Sequence, residues 1–112
     1  MKLALGIAVL LALTVLSGEA WADFMDGNTL YAHCTSNAGY DQGVCQGYVE
    51  GVVDHMGWVR LALHKPQCVP DGTKASQIRD VVKNYIRDQP QDRSYEASSL
   101  VIFAVTKAWH CQ

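Results

Sequence analysis

Apolar residues recur at three- and four-residue spacing through four stretches of this chain, and turn-forming residues separate them. The first stretch runs from about Asn28 to Ser36, with Leu30, Tyr31 and Cys34 on one side, and Asn37-Ala38-Gly39-Tyr40 breaks it. The second runs from about Asp41, placed as its N-cap, to His64. Its stripe is Cys45, Tyr48, Val49, Val52, Val53, Met56, Val59 and Leu63, and Lys65-Pro66 ends it. The third starts near Thr73 or Lys74 and ends near Asp88, with Ile78, Val81, Val82, Tyr85 and Ile86 as the buried set. After the polar turn Gln89 to Arg93, Ser94 is the expected cap of a fourth helix reaching Trp109. Its stripe is Ala97, Leu100, Val101, Ala104, Val105 and Ala108. No segment alternates with a period of two between turn residues, so the pattern predicts an all-α fold, a small four-helix domain.

At 112 residues the chain holds one domain, and its first segment stands apart from the fold. Lys2 precedes an apolar run from Leu3 to Leu16, and Ala20-Trp21-Ala22 supplies small-x-small residues for a signal peptidase. Residues 1–22 are therefore expected to be a signal peptide, leaving 23–112 as an exported domain with no membrane span. Lys2 and Glu19 offset each other, so the net charge stays at −2 after cleavage. That balance offers nothing to nucleic acid or to an anionic membrane surface.

The cysteines Cys34, Cys45, Cys68 and Cys111 all lie beyond the cleavage point. An even count in a short exported chain reads as two disulfides. The rival is zinc, because His33-Cys34 and His110-Cys111 are adjacent pairs, but no C-x-x-C or H-x-x-x-H spacing accompanies them. Helix geometry selects the pairing. Cys45 sits near the start of the second helix and Cys68 beyond its end, roughly 30 Å away at 1.5 Å per residue. Cys34–Cys45 and Cys68–Cys111 remain as the expected cross-links.

Two faces exceed what one small core needs. Opposite the stripe of the second helix lie Gly43, Gly47 and Gly51, with Glu50, Asp54, Trp58 and Leu61 beside them. Glycine inside a helix costs about 0.5 to 1 kcal/mol relative to alanine, so three at four-residue spacing point to close approach of another helix. Two occupants fit: the alanine-rich fourth helix of the same chain, or a second copy in a homodimer. The fourth helix adds Ile102, Phe103 and Trp109 outside its main stripe, which asks for a protein partner.

Catalytic patterns are weak. No Ser, Thr or Cys nucleophile has a base at a recognisable spacing. Glu50 and Asp54 share a helix face, but solvation explains two acids there as well as chemistry does. Asp54 and His55 are adjacent and point apart. His33, His55, His64 and His110 are scattered, with solvated or partly packed roles as the default. No phosphate loop, cofactor motif or metal-ligand spacing appears, so no cofactor is expected.

The string Cys45-Gln46-Gly47-Tyr48-Val49-Glu50-Gly51-Val52-Val53-Asp54 resembles the C-x-G-Y-x-x-G-x-x-D pattern of the Rap/Tai-type immunity proteins. Cys68-Val69-Pro70-Asp71-Gly72 is similar to their Cys-x-Pro loop, and Gln77 to Pro90 to their third helix. Ala97 to Val101 and Ala108-Trp109-His110-Cys111 match the last helix, with His110 where the family usually has proline and Lys74 where it often has threonine. The resemblance implies a periplasmic four-helix protein, often a homodimer, that binds and occludes the cleft of a type VI secretion peptidoglycan amidase. Exposure alone nominates the polar loops with Lys65, Gln67 and Asp71, or Asp88, Gln91 and Arg93, as the contact surface. The alternative from another class is a small periplasmic chaperone using the surplus apolar surface of the fourth helix.

Overall fold

The computed structural model describes residues 24–111; the expected signal peptide lies outside them. Four helices account for the described chain: α1 Gly27–Thr35, α2 Gly39–Ala62, α3 Ala75–Asp88 and α4 Ala97–Trp109, with a 3₁₀ turn at Pro90–Asp92. The only β-type pairing among the described residues is an isolated bridge between Asp26 and Glu96. The all-α expectation holds, and the four-helix count with it.

Asp26 caps α1, accepting a hydrogen bond from the Thr29 N–H at 2.8 Å. The same segment is tied to the approach of α4. Gly27 N–H donates to the Tyr95 carbonyl, Asn28 N–H to Arg93 and Ala97 N–H to Met25, each at 2.9 Å. These bonds set where α4 begins. The helix starts at Ala97 with Glu96 as its N-cap and no side-chain cap bond, so Ser94 does not cap it. Likewise α2 starts at Gly39 with Ala38 in the cap position. Asp41 does not cap it either; its carboxylate takes the Ser36 hydroxyl at 2.6 Å and meets His33 Nδ1 at 2.7 Å across the α1–α2 turn.

Gly27 is buried where the start of α1 crosses the approach to α4. A Cβ there would collide with the Leu100 side chain and stand 2.8 Å from the Arg93 carbonyl oxygen. Backbone cannot yield as a flexible side chain does, so Gly27→Ala is expected to destabilise by about 1 to 3 kcal/mol, measured by urea unfolding. A cost within error of zero would show that the α1–α4 junction is looser than its hydrogen bonds imply.

The core is formed by Leu30 and Cys34 of α1, Cys45 and Val49 of α2, Val82 and Ile86 of α3, and Ala97, Leu100, Val101, Ala104 and Val105 of α4. Cys68 from the α2–α3 loop completes it, and no polar or charged residue is buried among the described ones. Both disulfides join as expected: Cys34–Cys45 with Cα atoms 5.0 Å apart, and Cys68–Cys111 at 5.3 Å. The stripe of α2 is less uniform than its spacing suggests, because Val59 and Leu63 are exposed. At 24 residues α2 is about 36 Å long, whereas α3 and α4, with 14 and 13, reach only about 20 Å. The last turns of α2 overhang the core.

Three carboxylates tune the acid stability of this frame. Asp41 is held below the usual carboxylate range chiefly by the Ser36 hydroxyl and then by His33. The Thr29 backbone N–H lowers Asp26, and the Arg87 side chain lowers Asp88. A carboxyl that is more acidic when folded contributes stability above its unfolded value, 3.8, and loses that contribution as pH falls through the lower folded value. The melting temperature should therefore hold from neutral pH to about pH 5 and fall toward about pH 2. Asp41→Asn should flatten that fall, as circular dichroism melts would show; an unchanged acid limb would mean that Asp41 contributes nothing to it.

Candidate functional site

The overhang of α2 creates a large concavity on the described surface. A groove of about 840 Å3 runs between α2 and the outer face of α4. Gly47, Gly51, Met56, Val59 and Leu63 line one side, Ser98, Ile102 and Thr106 the other, and Lys65 stands at its rim. Around it, Trp58, Leu61 and Leu63 are each more than half exposed, and Phe103 is 50% exposed. His55 stacks on the Trp58 ring at 6.2 Å, the planes tilted by 17°, which holds that indole outward.

The glycines behave differently from one of the two expectations. A Cβ at Gly43, Gly47 or Gly51 would meet nothing within 4 Å, so no helix among the described residues packs on them. The α4 wall reaches the groove only through side chains such as Ile102. Gly57, six residues further along α2, is the exception: a Cβ there would sit 2.9 Å from Gln67 Oε1. Asp54 and Glu50 are exposed on the same open side, and no hydrogen bond anchors Asp54 across a helix interface.

The loop residues nominated by exposure separate into two kinds. Gln67 donates from Nε2 to the Gly57 carbonyl at 3.2 Å, clamping the loop to α2. Arg93 lies half-buried, donating to the carbonyls of Ile86 and Arg87 at 3.0 Å each, with its guanidinium 4.2 Å above the Tyr31 ring. Those two are structural. Lys65, Asp71, Asp88 and Gln91 are exposed, and only Lys65 adjoins the groove. Asp88 is engaged by its neighbour Arg87 at 2.9 Å, and Gln91 by Gln89 at 2.7 Å.

The four histidines do not converge. His33 lies in the last turn of α1, edge-on to Tyr40; His64 and His110 sit at helix ends with left-handed φ of 55° and 51°. Among the described residues no group of three or more His, Cys, Asp or Glu could hold a metal ion. No helix among them is long and apolar enough to cross a membrane.

A cross-linked helical frame with an open apolar groove and a polar opposite side is the form of a protein that works by contact. The family comparison agrees in kind: the model of the Rap1a immunity proteins matches residues 26–111. The chain belongs to the Rap1a immunity protein family, an assignment that implies a protein partner and an inhibitor rather than an enzyme. No curated protein and no solved structure matches it significantly.

Proposed function

We propose that this is a periplasmic immunity protein that binds a peptidoglycan amidase effector of type VI secretion and inhibits it by filling its active cleft. The family match across nearly all of the described chain carries this reading. The signal-like segment over residues 1–22 and the two disulfides favour export to an oxidising compartment, where such an amidase acts. Occlusion needs no catalytic group. It needs a stiff scaffold that loses little entropy on docking, which the cross-links supply.

On this reading the groove and the amidase surface are separate. The bare glycine strip and exposed Ile102 and Phe103 suit a second copy of the chain, since a homodimer would bury both and leave the polar turns free. Protection of cells tests the function. Cells that direct the amidase from a neighbouring gene to their periplasm should lyse, and co-expression of the full chain should prevent it. A variant lacking residues 1–22 should give no protection. Lysis in the presence of the abundant, exported, full chain would remove the proposal.

A further inference from the structure

On the side of the molecule formed by α1 and α3 lies a second, smaller concavity of about 330 Å3. Its floor and one wall are the α1–α2 turn, with Thr35, Ser36, Asn37 and Gln42. The other wall is α3, which presents Arg79, Lys83 and Arg87 at four-residue intervals along one face. No acidic side chain lines it. That is unusual in a chain of net charge −2, where acids outnumber bases. Asp80 and Asp88 flank the cations rather than face the cavity: Asp80 meets Arg79 at 3.3 Å and Lys83 at 3.6 Å, and Asp88 meets Arg87 at 2.9 Å. Asp80 is half exposed and meets Arg79 and Lys83 through one oxygen, an exposed contact that contributes little, so an entering anion can exchange with it; Asp88 grips Arg87 through both oxygens.

The turn that faces these cations is preorganised. Cys34–Cys45 ties its two ends, Asp41 holds Ser36 and His33, and Gln42 Nε2 donates back to the Ser36 carbonyl. Among the described residues the Asn37 side chain has no hydrogen-bond partner, and it lines the cavity as a potential donor. The Arg79 guanidinium, the Lys83 ammonium and the Asn37 amide around a cavity of this size match carboxylate geometry, while the Arg87 fork is held by Asp88 and Asn84 and contributes its charge. We propose that this pocket receives acidic side chains from the surface of a protein partner. The identification of that partner as the effector rests on the immunity reading above; the chemistry of the pocket does not.

The probe is a blocked triglutamate peptide, titrated into the disulfide-bonded protein and followed by amide and guanidinium NMR shifts. Saturable shifts are expected at Thr35, Asn37, Gln42 and Arg79, with none from the triglutamine peptide. The double variant Arg79→Gln/Lys83→Gln, with its helical spectrum unchanged, should weaken binding by about tenfold or more. Glutamine keeps the side-chain stems, so the fold has no reason to fail; Lys74→Gln, outside the pocket, serves as the control and should bind as the parent does. Shifts spread over Lys65 and Lys107 without saturation would overturn the proposal, as would equal binding by the double variant. Inorganic phosphate producing the same shifts while the peptide produces none would also overturn it, assigning the pocket to a free oxyanion. No effector is present in these titrations, so their failure would leave the immunity reading standing. Failure of cell protection with the peptide still bound would remove that reading alone.

Discussion

Replacing Cys68 and Cys111 together with alanine is expected to lower the unfolding free energy by about 4 kcal/mol, and replacing Cys34 and Cys45 by about 3 kcal/mol. The order follows from the lengths of chain that each bond closes. Cys68–Cys111 spans 43 residues and Cys34–Cys45 spans 11, and the freed unfolded chain gains more entropy from the longer loop. Either loss is a large fraction of the 5 to 15 kcal/mol that holds an ordinary domain together. The core gives little reserve, being mostly valine, alanine and cysteine around Leu30, Ile86 and Leu100. Guanidinium unfolding of the two double variants checks both values and their order. Equal, negligible costs would mean that packing alone holds the frame.

The triple substitution Gly43→Ala/Gly47→Ala/Gly51→Ala should move stability and association in opposite directions. Each glycine lies within α2, and a Cβ at any of them has open space around it. Nothing among the described residues opposes the added methyls, while the unfolded state loses backbone freedom. The variant should gain about 2 to 3 kcal/mol at the three sites taken together. If the strip is bare so that a second copy can approach, the same methyls hold the two helices apart and weaken the dimer by about tenfold or more. Thermal unfolding and sedimentation equilibrium on one preparation read both effects. A variant that is more stable and associates as before would deprive the glycines of the role given to them.

Four helices and two cross-links were legible because each rests on local geometry. A three-four stripe has one regular solution, and no rearrangement brings Cys45 to Cys68 across α2. The helix starts were less legible because tertiary partners compete for the capping groups. Asp41 had the spacing of an N-cap, yet Ser36 and His33 claim its carboxylate from across the turn. Ser94 had the right type, yet backbone bonds between the chain around Met25 and that around Ala97 place the first turn of α4 later. Asp26 is the cap that was overlooked, although an aspartate just before Leu30 begins its stripe was a readable signal. The glycine strip was visible, but a wheel shows that a face is bare without showing what, if anything, lies opposite. The basic pocket was hidden by the overall balance: a net charge of −2 averages away three cations that the fold gathers beside one turn.

Inhibition measured by titration decides the account's main claim. Purified protein spanning residues 23–112, added in steps to the proposed amidase partner, should abolish release of peptidoglycan fragments, with the break at one chain for each enzyme. Undiminished hydrolysis at a large excess of correctly cross-linked protein would contradict it.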